Sequence, residues 1–163
     1  MTTARTSDRS RCPPQVGDLE IPLAVTIDDL AVSEPEFVRG RPVRLAVGAV
    51  TEQIAVFADE AAYRASGTPM AVESLIPSGL FAPGPGREAE HRPSSRMLMS
   101  GTVTSAERRA HELLGHAFIH ARVHSMQGEW EIVVDPSGRT DDELPTPGAI
   151  VSGTFWLSGH LAA

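Results

Sequence analysis

The sequence contains no lysine and no asparagine, and all 14 of its basic residues are arginine. The first absence removes Schiff-base catalysis through a lysine amine and the phosphate-gripping lysine of a P-loop. The two absences together are what GC-rich bacterial coding produces. Cysteine is nearly missing as well: the single Cys12 can close no internal disulfide and cannot build a multi-cysteine metal site. No apolar run approaches the roughly 18 to 20 residues that cross a bilayer. The Arg-bearing N-terminus is not followed by the apolar stretch of about 7 to 15 residues that drives secretion. These absences lead us to expect a soluble, cytoplasmic protein with no membrane contact. The 21 acidic residues leave a net charge of -7, which opposes general attraction to a polyanion. Single-stranded nucleic acid is therefore a disfavoured partner, because it would need a local basic patch.

What is present is a chain of 163 residues, 41% hydrophobic, the size and composition of one globular domain. Residues 1–17 are polar, Arg/Ser/Pro-rich and aperiodic, which predicts a flexible tail. A single β-rich domain is expected over 18–163. Ile21, Leu23, Val25 and Ile27 alternate with polar or small neighbours, the period of a strand with one face buried. Val43, Leu45 and Val47 make a second alternation, and Ile54 and Val56 a third across a short connection, the pattern of a meander. Asp59 is placed to cap a short helix over Glu60–Arg64, with Gly67 as its stop signal. Residues 82–96 contain three prolines and no core candidates, and predict a flexible loop between two β-rich halves.

The second half begins with Met97 and Met99, whose face continues through Gly101 and Val103, and Ala106–Arg109 are expected to leave that strand. The stretch Ala117–Met126 is ambiguous between helix and strand. Strand is favoured, because Ile119 and Val123 are β-branched, Gly115 interrupts any helix from Glu107, and Trp130, Ile132 and Val134 alternate like a hairpin partner. A final strand is expected over Ile150–Leu161. About seven strands, one short helix and no strand–helix repetition predict a mainly β fold, either an antiparallel OB-like barrel or a sandwich.

A candidate site follows from register. With Gln127-Gly128 as a two-residue turn, His124 falls opposite Glu131 and His120 opposite Asp135. One face of the hairpin is then apolar, while the other carries Phe118, His120, Arg122 and His124 with Glu131 across from them. Such a face can line a ligand groove, with Arg122 meeting an anionic group and Phe118 stacking on a ring, or it can be merely a solvated sheet face. The alternative is catalytic: His120 or His124 as a general acid or base oriented by Glu131. A metal is not expected. On a strand, residues four apart lie about 13 Å from each other, too far for His120 and His124 to share an ion. His111-Glu112-Leu113-Leu114-Gly115-His116 misses the metalloprotease pattern by one residue, which turns the two rings about 140° apart on a helix. Glu107-Arg108-Arg109 reads as a solvated salt-bridge cluster, and Trp130 and Trp156 as core.

The runs GTVTSAE, EIVVDP and GAIVSGTFWLSG, starting at Gly101, Glu131 and Gly148, loosely resemble a bacterial group of proteins of unassigned activity with an oligonucleotide/oligosaccharide-binding (OB) type β-barrel. The resemblance covers the C-terminal half. It implies a barrel without implying a reaction, and no cofactor follows from it. The functional expectation is a non-catalytic module binding a partner or an oligomeric ligand through Phe118, His120, Arg122, His124 and Glu131. The rival is a small-molecule cyclase, isomerase or hydrolase working inside a barrel.

Overall fold

The computed structural model describes residues 3–4, 23–28, 37, 41–77, 94–126, 128–136 and 144–162. Its strands are β1 (Thr3–Ala4), β2 (Leu23–Ala24), β3 (Thr26–Ile27), β4 (Leu45–Phe57), β5 (Ser74–Pro77), β6 (Arg96–Ala110), β7 (Ala117–Ser125), β8 (Gly128–Val134) and β9 (Ile150–Leu161). Among the described residues one short helix, α1 (Glu60–Ala65), follows β4. Among the described residues no helix is long and apolar enough to cross a membrane. Of the tail expected over 1–17, only Thr3–Ala4 are described, and they pair with Leu23–Ala24. The loop expected over 82–96 lies outside the described residues except for its last three. There Ser95 is buried, hydrogen-bonded to the Thr26 hydroxyl at 2.7 Å, and Arg96 opens β6.

The fold is mainly β, with seven strands in one sheet in the order β3-β9-β4-β8-β7-β6-β5. β9 also pairs with β6, so the pairings β9-β4-β8-β7-β6-β9 return on themselves. The expectation of an antiparallel sheet needs correction, because β3–β9 and β4–β8 are parallel. Local alternation cannot encode this: the direction of a pairing depends on which distant strand arrives, and here β4 meets β8 across most of the domain. The β4–β8 contact is brief, only Ala49 opposite Ile132 and Val50 opposite Val133.

Periodicity explains why these segments are strands and where two of them bend. On β4, Leu45, Val47 and Ala49 occupy odd positions, whereas Ile54 and Val56, which also pack on the core, occupy even ones. One extra residue reconciles the two sets. The ladder with β9 jumps between Thr51 and Gln53, leaving Glu52 as a β-bulge, so the two strands expected here are one strand of 13 residues. On β6, Met97, Met99, Gly101 and Val103 are buried, and the ladder with β7 jumps between Val103 and Ser105 around Thr104. Ala106–Arg109 therefore stay in the strand, contrary to expectation.

The helix forms as its cap predicts. The Asp59 carboxylate accepts from the Ala62 amide at 2.7 Å, and Gly67, at φ 72°, ends the turn in a conformation that only glycine adopts cheaply. Tyr63 is its buried residue, edge-on to Phe57 with ring centroids 5.1 Å apart. The core is a contiguous apolar cluster containing Met97, Met99, Val103, Ile119, Val123, Ile132, Phe155 and Leu157. Burying one such side chain contributes about 1.5 to 3 kcal/mol, so this cluster dominates the favourable side of folding.

Candidate functional site

The stretch 117–125 is a strand and not a helix end, and it forms a hairpin with β8. The register differs from expectation by two residues. Ser125 pairs with Gly128, so β7 ends and β8 begins one residue earlier than a Gln127-Gly128 turn would place them, with Gly128 at φ 115°. His124 therefore faces Glu129 rather than Glu131, Arg122 faces Glu131, and His120 faces Val133. A slip of two preserves the faces where a slip of one would have inverted them. Ile119, Ala121, Val123 and Ser125 point inward and are buried, while Arg122, His124, Glu129 and Glu131 are exposed on the other side.

On that outward face His120 is the centre. Its Nδ1 lies 3.4 Å from Glu107 Oε1 and its Nε2 lies 3.5 Å from Glu131 Oε2, so both ring nitrogens face carboxylates. Arg109 donates to Glu107 through Nε at 2.8 Å and also through its terminal nitrogen, and Arg122 lies 3.5 Å from Glu131. The result is a row, Arg109–Glu107–His120–Glu131–Arg122, laid across β6, β7 and β8. A protonated imidazole can donate to both carboxylates, a neutral one to only one of them. The ring is enclosed by its neighbours, with its side chain 13% exposed, whereas both glutamates are more than half exposed. Hydrogen bonding from Arg109 holds the Glu107 carboxyl below the usual range, opposed by desolvation and helped by the Arg109 charge and then by His120.

Glu107 is the residue that sequence reasoning left out of the site. The bulge at Thr104 brings it there. In a regular ladder Glu107 would oppose Ile119 on the inner side; the one-residue jump sets it opposite His120 and sets Arg109 opposite Phe118. The change of apolar parity between Val103 and Ala106 was the signal that could have revealed it. Thr104 itself fixes the bulge, since its hydroxyl lies 3.3 Å from the Arg122 carbonyl and 3.2 Å from Glu129 Oε1. Phe118 is half-buried at the edge of this row, and His124 sits apart from it, beside Glu129 and Thr102. The structure therefore joins His120, Arg122 and Glu131, and places Phe118 and His124 on the same face without drawing them into the contacts.

His111 and His116 close the β6–β7 turn through a backbone hydrogen bond of 2.9 Å, with Leu113 and Leu114 exposed at its tip. Among the described residues no group of three His, Cys, Asp or Glu side chains is placed to hold a metal ion. Trp130 lies half-buried against the core and donates its indole N–H to the Met126 carbonyl at 3.3 Å. Trp156 departs from the expectation of core: it points outward and is 37% exposed, because Phe155 and Leu157 on either side take the inward positions of β9. No protein-family profile matches this chain, nor does any curated protein or solved structure.

Proposed function

We propose that the chain is an OB-like barrel acting as a non-catalytic binding module, and that the face of Phe118, His120, Arg122, His124 and Glu131, extended by Glu107 and Arg109, is where a protein partner or oligomeric ligand docks. One observation carries this reading: both nitrogens of His120 are engaged by carboxylates on an open sheet face. A general acid or base needs a nitrogen free for substrate and a site that excludes water. Here the ring is held as part of a charged lattice. The interior, where a small-molecule enzyme would hold its substrate, is filled by Phe155, Met97, Met99 and Ile119. The returning cycle of five strand pairings supports the barrel.

The charges of the face also describe the partner. Arg109 and Arg122 alternate with Glu107, Glu129 and Glu131, a surface that repels a polyanion and complements a partner of alternating charge. The test is fluorescence anisotropy with two labelled probes, a synthetic peptide of alternating glutamate and lysine and an oligomer of deoxythymidine. We expect the peptide to bind with moderate salt sensitivity, and the combined variant Phe118→Ala/Arg122→Ala to weaken it by about tenfold or more. Unchanged affinity in that variant would remove the site. Tighter binding of the oligonucleotide, falling steeply with salt, would replace the reading with a phosphate-directed one.

A further inference from the structure

On the opposite stretch of the ring, β4, β9 and β6 lie side by side and expose a second feature. Ser152 and Thr154 point outward from β9 at alternate positions, followed by Trp156. Across four strand residues this row spans about 13 Å. Gln53 and Ala55 flank it from β4 and Leu98 from β6, and Met70 closes one end, around a depression of about 380 Å³. Trp156 stands beyond Thr154 at the other end, paired with Val50 on one side and Arg96 on the other. The Arg96 guanidinium lies over the indole, 5.9 Å from its centroid, and its Nε donates to Glu52 at 2.9 Å.

Two devices make this groove, and both are built in. The Glu52 bulge sets Gln53 opposite Thr154, and Gly153 leaves room for the Gln53 carbonyl, where a Cβ would lie 2.0 Å from the oxygen. The wall carrying Met70 is tied down: the Tyr63 hydroxyl donates to the Met70 carbonyl at 3.1 Å, and the Ser100 hydroxyl donates to the Ala71 carbonyl at 2.6 Å.

We propose that this groove binds a short neutral carbohydrate chain. Among the described residues no ionisable side chain lines the depression, and the neighbouring Arg96 is paired with Glu52, so these residues offer a charged ligand no free counter-ion. β9 is hydrogen-bonded to β4 and to β6 along this whole stretch, so a peptide strand finds no free backbone edge to extend. A purely apolar ligand would bury the hydroxyls of Ser152 and Thr154 and the Gln53 amide without partners, at a cost. A sugar chain satisfies each part: the C–H face of one pyranose packs on the indole, another on Leu98, and its hydroxyls meet those of Ser152 and Thr154 and the Gln53 amide. The groove shares no residue with the face around His120.

The experiment is NMR titration of the amide-labelled chain with maltotriose, cellotriose and triacetylchitotriose separately, with a sulfated heparin disaccharide and trialanine as ligands of other classes. At least one neutral trisaccharide should shift the amides of Gln53, Ser152, Gly153 and Thr154 and the indole N–H of Trp156, with an affinity insensitive to salt. Trp156→Ala should weaken that binding about tenfold, Trp156→Phe much less, and Phe118→Ala/Arg122→Ala not at all. Amide dispersion in the same spectra reports that each variant is folded. The proposal is overturned if no neutral trisaccharide moves these resonances, if the sulfated sugar or the tripeptide moves them more strongly, or if folded Trp156→Ala binds as the parent does.

Discussion

β4 and β6, the two longest strands, each carry one residue too many, and the two surpluses have opposite surroundings. At Glu52 the bulge sits on a strand paired with β9 from end to end, and it drives a carbonyl into the space that Gly153 leaves. At Thr104 the bulge sits just past Thr102, where β6 ends its pairing with β9 and continues with β7. Its consequence is felt at the surface, where it lines up Glu107 with His120. The same device thus shapes packing in one place and a charged face in the other. What decides is whether a neighbouring backbone occupies the space the bulge enters.

Gly153→Ala is the strongest test of that contrast. A methyl 2.0 Å from a backbone oxygen forces the strands apart, and we expect a loss of about 3 kcal/mol or more in denaturant unfolding. Deleting Glu52 in the same chain should recover much of it, since Thr51 and Gln53 would then continue one regular ladder with β9. If the two changes simply add, the bulge is not what presses on Gly153.

Gly101→Ala ranks next, at about 2 to 3 kcal/mol, because its Cβ would meet the His124 carbonyl at 2.4 Å. Gly101 precedes the β6 bulge, so deleting Thr104 should give no rescue. A rescue there would erase the difference between the two bulges.

Deleting Thr104 alone is expected to cost about 0.5 to 1.5 kcal/mol, the value of the one hydrogen bond its hydroxyl proton can give, to the Arg122 carbonyl or to Glu129. It leaves Ser105, Ala106 and Glu107 with their present partners. Thermal unfolding measures the loss, and a global collapse would show that the bulge organises the core after all. Arg96→Ala should cost about 0.5 to 1 kcal/mol through the lost stacking on Trp156, read in the same way.

The smallest effect is electrostatic. Arg109 lowers the Glu107 carboxyl below its unfolded value, so the stabilisation it brings is complete above the ordinary carboxylate range and is lost as pH falls through the lower folded value. Because the pair is exposed, Glu107→Gln should lower Tm only slightly at neutral pH, with the difference vanishing in acid. A gap that persists at low pH would mean the carboxylate charge is not its source.

The bulges also explain which parts of this molecule the sequence discloses. Where one face stays in phase, the reading is good: β9 begins and ends at Ile150 and Leu161, the cap of α1 is at Asp59, and the inward and outward residues of β7 and β8 are as the alternation implies. Where the phase switches, a continuous strand looks like two strands or like a strand that stops, as at Thr51–Gln53 and Val103–Ser105. Glu107 lies beyond one such switch, so an alternation carried on from Val103 puts it on the inner face. The apolar character of Phe155, Trp156 and Leu157 hides which of the three faces out. β5 is four residues ending in a proline, too short to show a period, and its place at the edge of the sheet suits that proline. Parallel partners leave no trace in local pattern at all.

β9 pairs with β3, β4 and β6, and it follows every one of them in the chain. During synthesis the earlier strands must therefore emerge and wait, with β4 and β6 each missing a partner edge and Met97, Met99 and Val103 without the Phe155 and Leu157 that cover them. Docking of β9 is the step that seals the interior, so the interval before it is when open strand edges and apolar side chains can stick to neighbouring molecules.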